Sequence, residues 1–81
     1  MPSLEFELEQ LALANKHVEL AEATVERIRT RLDEERLNGL DTVEGDKMLQ
    51  LALDSLSAFL EHRDLISKVI DDIRSGRLPS T

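Results

Sequence analysis

The 81-residue chain has no cysteine, tryptophan or tyrosine, and only 2 phenylalanines, 3 glycines and 2 prolines. Without cysteine there are no disulfides, no thiol nucleophile and no thiolate metal ligands, and nothing marks an oxidising compartment. Scarce Gly and Pro leave long stretches with nothing to interrupt a helix, and scarce aromatics leave little on which a nucleic-acid base could stack. No apolar run approaches the ~20 residues needed to span a bilayer. The start, Met1-Pro2-Ser3-Leu4-Glu5-Phe6-Glu7, has neither the basic residues nor the apolar run of a secretory signal. The expectation is therefore a soluble, cytoplasmic protein. Lys and Arg number 10 against 17 Asp and Glu, a net charge of −7, which disfavours nucleic acid and anionic membranes as partners. The length allows a single domain over 1–81, near the size at which one hydrophobic core is marginal.

What is present in quantity is apolar residues at helical spacing. Ser3 is a candidate N-cap, and Leu11, Ala14, Val18, Ala21, Val25, Ile28 and Leu32 then alternate by threes and fours, the seam of a helix facing a partner helix. This predicts helix one over about 3–37. Phe6, Leu13 and Leu20 form a second apolar row at sevens, on a different side of the same helix. Asn38-Gly39 stops the helix, because Gly adopts the left-handed conformation after a C-cap without a Cβ clash. Asp41 restarts one, with Glu44 placed to complete a reciprocal capping pair. The turn occupies about 38–41 and helix two about 42–75, with Leu49, Ala52, Leu56, Phe59, Ile66, Ile70 and Ile73 as its seam. Met48, Leu53, Leu60 and Val69 widen that seam, and Gly76 ends the helix.

Two helices joined by so short a connection are antiparallel neighbours. Folding back near residue 40 also sets Glu5, Glu7 and Glu9 beside Lys68, Arg74 and Arg77. The expected fold is an all-α, coiled-coil-like antiparallel hairpin. Two helices offer little shared surface, and the second row remains to be covered, so a homodimer forming a four-helix bundle is expected. Phe6, Leu13, Leu20, Leu53 and Leu60 are the candidate interface.

Polar residues near the seams are Asn15, His17, His62 and Arg63. Arg63 falls within the apolar face of helix two, where a charge needs a partner or must reach water along its stem. A register-setting polar layer, or Arg63 paired with a carboxylate such as Glu19 or Glu22 of either subunit, is the plain reading; an anion or partner site in the bundle is the functional one. Di-metal bundles require Glu-x-x-His repeats, and none occurs. His17 is followed by Val18-Glu19-Leu20 rather than the acidic residue and later Pro of a histidine-phosphotransfer box. Arg27, Arg29, Arg31 and Arg36 near the turn are interleaved with Glu26, Asp33, Glu34 and Glu35, which suits intrahelical pairing better than RNA. No Ser/His/Asp set, glycine-rich phosphate loop or carboxylate dyad appears, so neither enzyme activity nor a cofactor is expected.

Ala14-Asn15-Lys16-His17-Val18, Gly39-Leu40-Asp41-Thr42-Val43-Glu44 and Glu61-His62-Arg63-Asp64-Leu65-Ile66 together resemble a group of short bacterial helical-hairpin proteins with no established activity. Gly45 stands where that group more usually has Ala. The resemblance implies the hairpin architecture and singles out Asn15, His17, His62 and Arg63. The functional expectation is a non-enzymatic, homodimeric module for protein–protein interaction or regulation. An RNA-binding or histidine-phosphotransfer-like bundle is the alternative.

Overall fold

The computed structural model describes residues 3–79. Helices α1 (Leu4–Leu37) and α2 (Val43–Arg74) pack antiparallel in a rod of 58 × 15 × 15 Å. Its radius of gyration is 18.0 Å, where a compact chain of this length would have about 12 Å.

The ends of the helices follow from local chemistry. Ser3 Oγ accepts from the Phe6 N–H at 3.4 Å, and Glu5 and Glu7 lie in the first turn, against the positive end of the helix dipole. At the other end of α1, Gly39 takes φ 69°. The Leu40 N–H then donates to Glu35 O at 2.9 Å and the Gly39 N–H to Arg36 O at 3.1 Å, the paired bonds of a Schellman stop. Asn38 adds a side-chain bond to Glu34 O at 3.0 Å. These contacts consume carbonyls that would otherwise be orphaned at the helix end.

The entry to α2 differs from the sequence expectation. Thr42, not Asp41, is the N-cap residue, so the third helical position belongs to Gly45 and no Asp41–Glu44 capping pair forms. Instead Asp41 Oδ1 accepts from the Val43 N–H at 3.0 Å, a turn bond just ahead of the helix. The Thr42 hydroxyl donates to Asp46 Oδ2 at 3.0 Å, and Glu44 pairs with Lys47 at 3.5 Å.

The α1 seam is the spine of the hairpin. Ala14, Val18, Val25 and Leu32 are buried, with Leu11, Ala21 and Ile28 half-buried between them. On α2 only Ile66 and Ile70 are buried; Leu49, Ala52, Leu56 and Ile73 are half-buried. Ala14, Ile66 and Ile70 form a buried cluster, closed by Leu4 and Leu11 near the termini. Toward the turn, Leu32 faces Gly45 so closely that a Cβ on Gly45 would collide with its Cδ2. Gly45 thus replaces side-chain packing with close backbone approach at a seam position.

Two other expectations are corrected. Met48 does not widen the seam but lies outside it, exposed, because Gly45 and Leu49 supply the contact at that level and Met48 falls to their side. Among the described residues, Glu5, Glu7 and Glu9 form no ion pair with Lys68, Arg74 or Arg77; Arg77 instead turns back to Asp72 at 2.8 Å. The ion pair that does join the helices is Arg36–Asp46, 2.7 Å, beside the turn. Exposed side chains at the open end gain too little from pairing to be held in place.

Candidate functional site

The hairpin has two long sides, one on each flank of the seam, and they differ in chemistry. On the first, a groove of about 280 Å³ opens between the helices at mid-length, lined by His17, Leu20, Ala21, Thr24, Ala52 and Phe59 with Ser55 at its edge. The His17 and Phe59 rings pack there with centroids 5.4 Å apart and planes tilted by 41°. The Thr24 hydroxyl is occupied, donating to Leu20 O at 3.0 Å and accepting from Arg27 at 3.2 Å.

Helical spacing extends this side in both directions. Along α1 it carries Phe6, Gln10, Leu13, His17, Leu20 and Thr24; along α2 it carries Met48, Leu51, Ser55, Ala58 and Leu65, with His62 and Val69 in the same rows. None of the 17 acidic or 10 basic residues of the chain falls among them. The charges resume only at the margins, with Arg27, Arg31 and Glu44 toward the turn and Asp72 toward the termini. On this side Phe6 is 53% exposed, Leu13 50%, Leu20 56%, Leu51 68% and Leu65 64%. Exposed apolar surface gathered in this way is the kind that marks interaction sites on other proteins.

The opposite side is polar. Its groove is lined by Glu22, Glu26, Arg29, Leu53 and the seam residues Val25 and Leu56. Leu53 and Leu60 belong to this side and are half-buried. They are therefore across the seam from Phe6, Leu13 and Leu20. Leu51 and Leu65, which share the flank of that α1 row, escape the sequence reading because only one Ala, Ala58, links them at sevens and Leu53 and Leu60 lie nearer the seam. A count of charged residues by helical row, rather than of apolar ones, would have found them.

The four polar candidates divide between the two sides. His17 is half-buried at the groove and His62 lies exposed in the same flank. Asn15 is exposed on the other side. Arg63 is half-buried within the α2 seam, close to the level of His17; among the described residues its guanidinium makes no ion pair with Glu19 or Glu22, so the expected pairing is absent from the single hairpin. The structure brings His17 and Arg63 to one level of the rod without joining the four into a site. Among the described residues no three His, Asp or Glu side chains converge as metal ligands, and no helix is long and apolar enough to cross a membrane.

In comparisons with known proteins, no family model, no curated protein and no solved structure matches the chain. What the structure shows is the two-helix hairpin itself, with no family or homologue identified.

Proposed function

We propose that the chain is a homodimeric helical module that serves protein–protein interaction or regulation in the cytoplasm, without catalysis of its own. The observation that carries this reading is the uncharged flank: in a chain of net charge −7 with 33% charged residues, one side from Phe6 to Thr24 on α1 and from Met48 to Leu65 on α2 carries no Asp, Glu, Lys or Arg, and charges return only toward its ends. Solvent does not require that segregation; a covering surface does.

The exposed area supports it. The hairpin leaves 5886 Å² accessible, about 1,000 Å² more than the ~4,900 Å² of a compact monomer of 9.2 kDa. That excess is close to the ~800 Å² that each partner buries in a standard interface. Self-association into a four-helix bundle would cover it with surface of the same character. His17, with its ring packed on Phe59, fits a structural element of this flank better than a phosphoryl acceptor, which must stand free for a second protein. The resemblance to short bacterial hairpins adds Asn15, His62 and Arg63 as residues to test for partner contacts.

Sedimentation equilibrium decides the matter. A particle of twice the 9.2 kDa chain mass at micromolar concentration, reduced to the chain mass by Leu20→Lys, is the expected result. A wild-type chain that stays at 9.2 kDa up to ~100 μM defeats the homodimer.

A further inference from the structure

Both of the chain's 2 histidines lie on the uncharged flank, and they are its only side chains that titrate near neutral pH. The Arg36–Asp46 bond and the Ala14–Ile66 cluster fix the register of the hairpin, so that residues whose numbers add to about 80 lie level along the rod. His17 and His62 therefore sit at one level, close to mid-length. His17 is half-buried, its ring centroid 5.4 Å from that of Phe59, and His62 is exposed. At three and four positions to either side on its own helix, each histidine has only apolar or aromatic residues. The charges that precede them in sequence, Lys16 and Glu61, are turned about 100° away around the helix. The charge that faces them from the seam is Arg63, half-buried at their level, a cation that opposes a second cation beside it. Carboxylates on the flank are remote: Asp72 is about 15 Å of helical rise from His62, and Glu44 is farther off toward the turn.

Resting on the homodimer reading, we infer that His17 and His62 make the interface a pH switch: the two copies hold together while both imidazoles are neutral and separate when mild acid protonates them. Covering the flank takes both rings out of water, which disfavours their charged form, and a second copy presents the same uncharged middle whichever way it points. The Phe59 ring does not reverse this, because its contact with His17 exists in the single hairpin and so acts on both sides of the equilibrium. The separated chains thus bind more protons than the dimer, so association is favoured at the higher pH and lost as the pH falls. An ordinary imidazole, with a midpoint of about 6.5, is protonated about ten to one at pH 5.5 and one to ten at pH 7.5. Each ring that must stay neutral in the dimer weakens association by about tenfold over that interval, and the rings of two chains together set a ceiling of about 10,000-fold. The carboxylates act in the opposite sense. Approach to the pI of 4.7 lessens the repulsion between two chains of net charge −7 and strengthens association. A dimer that comes apart in acid therefore points to the histidines.

Sedimentation equilibrium at about pH 7.5 and pH 5.5, on wild-type chains and on chains carrying both His17→Gln and His62→Gln, tests the switch. The wild-type dissociation constant is expected to rise on acidification by at least about tenfold more than that of the double variant, whose constant stays level or falls. A smaller difference overturns the switch while leaving the dimer standing; a wild-type particle of 9.2 kDa at the higher pH overturns both. Because His17 packs on Phe59, its replacement can disturb the hairpin itself. His62→Gln alone, at an exposed position, supplies a second variant and decides the matter if the double variant does not dimerise at the higher pH. Its acid-to-neutral ratio of dissociation constants should fall to about a third of the wild-type ratio or less. A ratio equal to that of wild type places His62 outside the interface and refutes the inference.

Discussion

Gly45 gives the sharpest test of the packing described above. By helix propensity alone, Gly45→Ala at this position gains up to about 1 kcal/mol. The structure opposes that gain, because the new Cβ would collide with Leu32 Cδ2 and sit 3.5 Å from Leu32 Cγ. Leu32 is 2% exposed, and to make room its isobutyl group must turn toward the groove that it and Gly45 share with Ile28 and Met48, a repacking that costs about 1 to 3 kcal/mol. The balance is a Gly45→Ala chain less stable than wild type by roughly 0 to 2 kcal/mol. Leu32→Val removes the obstructing carbon at a cost of about 1 kcal/mol, as for other single-methylene deletions in a core. In that background Gly45→Ala is expected to stabilise, the collision being gone. The double-mutant cycle should then show a coupling of roughly 1 to 3 kcal/mol. Urea unfolding followed by circular dichroism at one fixed chain concentration measures it, the concentration being held because association contributes to apparent stability. If Gly45→Ala stabilises both backgrounds equally, with coupling under ~0.5 kcal/mol, then Gly45 is no packing device and the close approach at Leu32 is not what holds that end.

Other substitutions probe the rest of the rod. Ile70→Ala, in the buried cluster near the termini, should cost ~2 to 5 kcal/mol in the same urea experiment, whereas Leu37→Ala, at an exposed site beside the turn, should stay within about 0.5 kcal/mol. Ser3→Ala should cost roughly 0.5 to 1 kcal/mol and speed exchange of the Phe6 amide, whose N–H bonds Ser3 Oγ at the long distance of 3.4 Å. Arg36→Gln should cost no more than ~1 kcal/mol, and raising the salt concentration should erase the difference, since Arg36 and Asp46 are both about half exposed. Arg63→Leu should raise the melting temperature, because a half-buried charge at a seam position would be replaced by an apolar group of the kind found at Leu56 and Ile70; a fall in melting temperature would mean that Arg63 has a partner in the assembled protein.

The hairpin was readable because its determinants are local. A seam at threes and fours, a Gly placed to take positive φ and a hydroxyl at the N-cap act within a turn or two of chain, and Gly39 and Ser3 do in the structure what their neighbours in sequence imply. Burial along α1 follows the same spacing because α1 meets a single neighbour along its whole length. What was not readable depends on relations between helices. The start of α2 shifts by one residue to Thr42, because Asp41 and Thr42 are both competent caps and the register of the packed hairpin selects between them. Gly45 reads in sequence as a cost, and its use becomes visible only with Leu32 opposite. Charge complementarity gave the right direction for the second helix, yet the residues invoked do not touch, since the sign of a long-range field constrains orientation without fixing any one pair. The uncharged flank is written in the sequence, though not in any one helix: it emerges when rows from α1 and α2 are laid side by side, which requires the register.

The return of the chain at Gly39 has a mechanical consequence. Ser3 and Pro79 stand at one pole of the rod and the turn at the other, so whatever is attached at either of these residues hangs from the same tip, with most of 58 Å of stiff helix beyond it. Labels at Ser3 and Pro79 would stay close for as long as the hairpin is closed; their separation would mark the moment the two helices come apart.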